Sequence, residues 1–441
     1  MALEILIRVE TKGRHPDDVL DEAFKKYRSL TDLDRAFVTE LVYGTLRWRG
    51  KIDWVIARFS RIKFDRIERI ILYILRLGVY QLLFLTKTPD RAAVNESVIL
   101  AKRLKSQDAA GFVNAVLRRI IREGGMDGLP VAKGSPQDVL AVEQAFPLWA
   151  VIKLWNGWGE KETRAFCEAS NRPAPLVLRV NTLAMDREDL ISRLRREGLS
   201  ACATRFSPNG VVIEDGRPVP KMPFLRSGYY QIQDEAAQLI SFLVDPKPGE
   251  RVLDVCAAPG TKTTHLAQLM ANRGSIYALD INGAGLAKLR QSCQRMGVTN
   301  VTVLKRDLTQ PVSLPRIEPF DAVLVDVPCT GWGTIRRNPD IKWRTGPDDI
   351  PRMASLQRRI LDNAAALARR GGRVIYSTCT VYHEENEGVV EGFLGSREDF
   401  LLDRDRPGLF REELFDERGF FRTLPHRHNT DGFFAARLVR E

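Results

Sequence analysis

Two cysteines stand in company that suggests chemistry. Cys329 lies in VDVPCTGWG (325–333), directly after a proline and three positions beyond Asp326. Cys379 lies fifty positions on, in IYSTCTVYHEENE (375–387). Each follows an apolar, strand-like run and precedes a polar or glycine-bearing stretch. A thiol at such a place becomes a nucleophile once its site favours the thiolate, and a neighbouring acid can handle the proton of the group under attack. The other cysteines carry less. Cys167, Cys202 and Cys293 read as small buried hydrophobes, and Cys256 belongs to a loop whose backbone matters more than its side chain.

That loop is LDVCAAPGTKT (253–263), read as a strand, a turn of small residues and a helix start. Cys256, Ala257, Ala258, Pro259, Gly260, Thr261 and Lys262 would let a ligand approach the backbone and the free N–H groups of the helix N-terminus. The spacing matches neither a Walker A loop nor G-x-G-x-x-G. Asp280 closes the next strand (YALDI) and is placed for ribose hydroxyls. Asp307 closes the third (LKRDL) and can accept from an exocyclic amine such as adenine N6. Three strand ends in this order describe a nucleoside cofactor without a pyrophosphate. S-adenosylmethionine fits, with Lys262 near its amino-acid tail.

A methyl donor beside two cysteines points to pyrimidine C5. Cytosine C5 is a poor nucleophile, but a thiolate added to C6 makes the ring enamine-like. C5 can then attack the sulfonium methyl, and the thiolate leaves after C5 loses its proton. Asp326 can hydrogen-bond or protonate N3, a kind of assistance worth about 10²–10⁴-fold. The residue types leave open which cysteine attacks. His383 reads as a loop histidine, with Asn386 and Glu387 organising the loop around Cys379.

The elements that must position these groups are legible in outline. From about 236 onward, short apolar strands alternate with helical segments, which predicts a doubly wound, mainly parallel sheet with its ligands at the strand carboxyl ends. Residues 1–140 repeat apolar positions at three- and four-residue spacing and read as all-helical. A Gly/Pro-rich break, GGMDGLPVAKGSP (124–136), precedes a small α+β unit over 145–235.

The chain of 441 residues carries a formal charge of +11. Residues 1–125 hold 24 Lys/Arg against 16 Asp/Glu, so most of the excess sits in the helical third. A basic surface of this kind suits nucleic acid, and equally a solvated Arg-rich domain. No C-x-x-C pair is present and no metal site is expected. The most apolar run, IILYILRLGVYQLLFL (70–85), is broken by Arg76 and Gly78, which predicts a core helix rather than a membrane span. Neither a membrane segment nor a signal peptide is expected, and reduced thiols suggest a cytoplasmic protein, by default a monomer.

The motifs DVCAAPGTKT, LDIN, RDLT, VDVPCTGWGTIRRNPDIKWR, YSTCTVYHEENE and DGFFAARL resemble those of the RsmB-type (Fmu/Sun) ribosomal RNA cytosine-C5 methyltransferases of the NOL/NOP/Sun group. RAFVTELVYGTLR and GFVNAVLRRI are similar to a NusB-like RNA-binding domain. The resemblance implies a helical NusB-like domain, a small α+β domain and a Rossmann-like methyltransferase domain that uses S-adenosylmethionine. It also implies small-subunit (16S) ribosomal RNA as substrate, with 5-methylcytosine as product. By resemblance Cys379 is the nucleophile and Cys329 aids release. Asp326 serves cytosine N3 and the donor, while residues 256–262, Asp280 and Asp307 bind the donor. Thr261 departs from the pattern, standing where the family's P-G-G-K loop usually has glycine, and a side chain there restricts φ. A tRNA cytosine methyltransferase and a non-catalytic RNA-binding or antitermination factor are the rival expectations.

Overall fold

The computed structural model describes residues 1–214, 222–312 and 318–441. The end of the strand-like stretch GVVIEDG falls at 215–216, outside the described residues. The chain forms two compact units: Met1–Arg172 with Arg337–Pro347, and Pro173–Arg336 with Asp348–Glu441.

The first unit is helical wherever it is regular. Its main helices are Ala2–Lys12, Pro16–Lys26, Asp32–Phe59, Arg69–Phe84, Asp90–Leu104, Gln107–Arg122, Pro136–Glu143 and Leu148–Ser170. Local chemistry sets several boundaries. Thr31 and Asp34 form a reciprocal capping box, as do Ser135 and Asp138, and Gly13 ends the first helix in the left-handed conformation. The apolar stripes meet in one core that includes Leu6, Val42, Ile56, Ile74, Val113 and Leu117. The run 70–85 is the expected core helix, and Arg76 within it is buried and held by Asp53 and Glu10. No helix among the described residues is long and apolar enough to cross a membrane.

Residues 337–347 extend the cysteine-bearing motif but belong to this helical unit. Lys342 is buried there, its ammonium donating to Arg47 O (2.7 Å), Ala145 O (2.9 Å) and Asn171 Oδ1 (3.1 Å). Trp343 Nε1 donates to Leu46 O at 2.5 Å. Burial pushes the Lys342 ammonium well below its usual range, and nearby Arg47 adds to the effect.

The second unit carries two sheets. The smaller holds β1 (Leu176–Val180), β2 (Ala201–Ala203), β3 (Gly210–Ile213) and β4 (Tyr230–Ile232) in the order β2-β3-β1-β4, all antiparallel. The larger holds β5 (Arg251–Val255), β6 (Ser275–Asp280), β7 (Val301–Lys305), β8 (Phe320–Asp326), β9 (Ala368–Thr378), β10 (Phe400–Leu402), β11 (Phe421–Thr423) and β12 (Phe433–Arg440). Its order is β10-β12-β9-β8-β5-β6-β7, with β11 paired to β12. β5 to β9 run parallel, and β12 returns antiparallel against β9. The closing DGFFAARL segment therefore completes the sheet. β8 shows why such strands read as continuous apolar runs: Val323 and Val325 join one core cluster, Ala322 and Leu324 another. The order reverses between β5 and β8, where a doubly wound sheet opens its crevice.

Candidate active site

The donor loop leaves β5 at Cys256, whose φ of 60° is uncommon for a residue with a side chain. Gly260 takes a φ of 101°, and the helix Thr261–Leu269 starts immediately after it. A Cβ on Gly260 would fall 2.2 Å from Leu289 Cδ1, so this glycine is required on two counts. Thr261 opens the helix with ordinary backbone angles, and its departure from the glycine pattern brings no conformational demand.

The loop is fixed from two directions. Asp280, at the end of β6, accepts from Ala258 N at 2.9 Å and from Asn282 N at 2.7 Å. Arg179 on β1, not singled out in the sequence, donates to Thr261 O (2.5 Å), to Thr264 Oγ1 (3.0 Å) and to Gln233 Oε1. Burial lowers this guanidinium to about 9. The middle sheet thus grips the first turn of the donor-loop helix. Asp307 is exposed beyond β7 and makes a local turn, accepting from Thr309 N (2.9 Å) and Thr309 Oγ1 (2.7 Å).

Below the loop, buried Asp254 accepts from Thr263 Oγ1 at 2.6 Å, while its Oδ1 has no hydrogen-bond partner. Burial pushes this carboxyl up to about 7 against the Thr263 bond, and the charge of Asp326 raises it further. The Cys256 thiol is likewise raised, first by burial and then by the charges of Asp280, Asp326, Asp254 and Asp307. Four carboxyl groups therefore converge on the loop. Their summed potential suits a ligand carrying a sulfonium and an ammonium group, so the residues present fit S-adenosylmethionine.

The two cysteines meet. β8 and β9 are parallel neighbours, and Val327 N donates to Ser377 O at 3.1 Å just beyond the paired strands. Cys329 Sγ lies 3.4 Å from Cys379 Sγ. Gly333 N donates to Cys379 O at 2.9 Å, and Gly432 N to Gly333 O at 2.8 Å. Beside the thiols, Asp326 accepts from Lys262 Nζ and from Ser377 Oγ, both at 2.7 Å. Burial disfavours the Lys262 ammonium, but the Asp326 carboxylate outweighs it and holds the group above its usual range. Lys262 also sits over the Phe433 ring, 5.2 Å from its centroid. Lys262, which the sequence reading set beside the donor's tail, donates to Asp326 in this structure.

The hydrogen bond with Cys379, burial, and the charges of Cys379 and Glu385 all hold the Cys329 thiol well above its ordinary value. Cys379 lies near the Lys262 ammonium. His383 is largely exposed, 3.5 Å from Glu387, in keeping with a loop role. Asn386 does organise the loop: it accepts from Thr378 Oγ1 at 2.6 Å and donates to Thr380 O at 3.2 Å. Glu387 faces Arg422. Ser377, Thr330, Gln357 and Glu385 were missed. Ser377 two positions before a candidate nucleophile was a usable signal; Gln357 offered none.

Comparison with known proteins identifies the family. Residues 241–439 match the family model for the 16S rRNA methyltransferases RsmB/F, 1–122 match the NusB family, and 146–220 match the ferredoxin-like domain of RsmF/B-like methyltransferases. The chain is 35% identical to the probable ribosomal RNA small subunit methyltransferase B of Bacillus subtilis (strain 168), over 100% of this chain and 98% of that protein. The chain belongs to this family. The family's enzymes are S-adenosylmethionine-dependent RNA cytosine-C5 methyltransferases. Ribosomal RNA small subunit methyltransferase B of Escherichia coli O1:K1 / APEC is 32% identical over the same shares of the two chains. Among solved structures, PH0851 superposes with a TM-score of 0.84 at 30% identity, covering 100% of this chain and 98% of that one. NSun6 from Pyrococcus horikoshii, solved with SFG, gives 0.56 at 25% identity over 65% of this chain and 96% of that one. The methyltransferase thus joins a helical NusB domain, a ferredoxin-like middle domain and a mixed-sheet catalytic domain.

Proposed function

We propose that this methyltransferase modifies C5 of one cytosine in small-subunit (16S) ribosomal RNA by covalent catalysis, with Cys379 as nucleophile and Cys329 aiding release. The observation that carries the reading is the 3.4 Å approach of the two thiols beside the Lys262–Asp326 pair. The Lys262 ammonium lies near Cys379, while the hydrogen bond with Cys379, burial, and then the charges of Cys379 and Glu385 raise the Cys329 thiol.

The steps follow from these positions. Cys379 Sγ bonds to C6 of an unstacked cytosine, and the electrons of the C5–C6 double bond move to make C5 nucleophilic. Asp326, with Lys262 Nζ 2.7 Å away, serves N3 as charge builds in the ring. S-adenosylmethionine supplies the methyl group on a sulfonium sulfur. Residues 256–262, Asp280 and Asp307 hold that donor by the loop backbone and the strand-end carboxylates. C5 then loses its proton to a base and the Cys379–C6 bond breaks, a release that Cys329 aids. The basic helical domain holds flanking RNA, and flipping the base out of its stack costs a few kcal/mol. The enzyme acts in the cytoplasm, where its substrate is assembled, as a monomer.

The test is a pair of variants incubated with RNA and donor. Cys329→Ala should accumulate a covalent protein–RNA adduct. Cys379→Ala should give neither adduct nor methylated product. The reverse pattern would exchange the two roles.

A further inference from the structure

Each cysteine of the pair is followed by a threonine, Thr330 or Thr380. The two hydroxyls meet at 2.8 Å. One carboxylate, Glu385, holds both residues. Its Oε2 accepts from Thr330 N at 2.9 Å, and its Oε1 accepts from Thr330 Oγ1 and, at 3.3 Å, from Thr380 Oγ1. Oε2 also accepts from Gln357 Nε2 at 2.9 Å, and the same nitrogen donates to Pro328 O at 2.9 Å. Glu385 therefore reaches, directly or through Gln357, the residues on both sides of Cys329 and the residue after Cys379. Glu385, Gln357, Thr330 and Thr380 are all buried.

A buried carboxylate is an expensive way to fill space, since an apolar side chain of similar shape stabilises a core at least as well. Burial raises the Glu385 carboxyl, and the bonds from Thr330, Gln357 and Thr380 oppose the rise. Those bonds are concentrated on residues that adjoin the two thiols. Two groups acting on adjacent carbons of one ring must be held to within a fraction of an ångström, which demands rigid supporting bonds.

We propose that Glu385 is a positioning residue of the methyltransferase, locking the Cys329 and Cys379 loops to each other so that both thiols address one pyrimidine ring. The proposal rests on the reading that both cysteines act on the cytosine. Glutamine can replace the carboxylate in shape and bonding. Its oxygen would accept from Thr330 N and Gln357, and its NH₂ would donate to the two threonine hydroxyls. Alanine would leave the frame empty.

The test uses the full chain with Glu385→Ala, Glu385→Gln and Thr380→Val. Three quantities are read: kcat and KM for RNA, donor affinity by calorimetry, and the rate at which diamide closes a Cys329–Cys379 disulfide. In the last assay the two thiols lose two protons and two electrons to the diazene, which becomes the hydrazine, and neither RNA nor donor is present. Glu385→Ala should lose about a hundredfold in kcat, with KM and donor affinity nearly unchanged and disulfide closure at least roughly tenfold slower. Glu385→Gln should stay within about fivefold of the parent on every reading. Thr380→Val, which keeps the Thr330 bonds, should show smaller losses in the same two quantities and serves if the alanine variant does not fold. Parental disulfide closure in both Glu385→Ala and Thr380→Val would overturn the proposal. So would a glutamine variant as inactive as alanine that still closes the disulfide normally, because charge rather than position would then matter. A wrong choice of nucleophile would change the adduct pattern of the cysteine variants and leave the disulfide result standing.

Discussion

Lys262 places its ammonium nitrogen 2.7 Å from Asp326 Oδ2, although 64 positions separate the two residues in the chain. One lies at the start of the helix after β5 and the other ends β8, so the contact joins that helix to the strand that leads to Cys329. Losing either member should harm the chemical step more than binding. Lys262→Met and Asp326→Asn should each lower the single-turnover methylation rate by about 10²–10⁴-fold. The double variant should fall little further than the worse single, because the two act as a unit. Additive losses would show that they act separately.

Asp254 gives stability a pH dependence of defined sign. Its folded pKa, about 7, lies above the ordinary carboxyl value of 3.8, so the folded state holds the proton more tightly than the unfolded chain. The protonated carboxyl fits best below about pH 4, and stability falls as pH rises from there through 7. The loss is at most roughly 4 kcal/mol. Asp254→Asn stays neutral at every pH. Its melting temperature should match the parent near pH 4 and exceed it increasingly up to pH 8. An offset that does not vary with pH would contradict the assignment.

Gly333 and Gly432 allow two loops to touch. A Cβ on Gly333 would lie 2.0 Å from Gly432 O, and Gly333 N holds Cys379 O. Gly333→Ala should destabilise by about 1–3 kcal/mol and reduce adduct formation by displacing Cys379. Gly157→Ala is the control: nothing lies within 4 Å of its added carbon, and it sits in the helix Leu148–Ser170. That change should be neutral or stabilising by up to about 1 kcal/mol. Thermal melts and adduct yields on gels would separate the two.

RNA affinity should fall steeply with salt if the basic helical domain contacts phosphates. On single strands the slope of log K against log salt is about −0.7 per neutralised phosphate. Filter binding between about 50 and about 200 mM salt measures it. A flat line would remove phosphate contacts from the account.

Much of the architecture was legible because its signals are local. Apolar runs such as those of β5 and β8, the helical stripes of residues 1–140 and the glycine-bearing donor loop are written in consecutive residues. The cysteines and strand-end acids could be singled out because each stands beside a strand-like run in the sequence. Glu385 escaped because two of its partners, Thr330 and Gln357, lie 55 and 28 positions away, and nothing local distinguishes it from Glu384. Residues 337–347 look continuous with the catalytic motif, yet Lys342 and Trp343 pack among the helices of the first unit.

The sequence by itself determined which chemistry is on offer: two thiols, a donor loop and acids at successive strand ends, all encoded by residue type and short spacing. Only the tertiary structure decided how those groups are paired. Lys262 turned to Asp326, Cys329 met Cys379, and Glu385 came to hold both cysteine loops. The reason is physical. A strand or helix is set by neighbours a few residues apart, whereas side-chain partners are chosen by the parallel register of β8 and β9 and by burial. In such interiors a polar group must find whichever donor or acceptor the fold brings within reach.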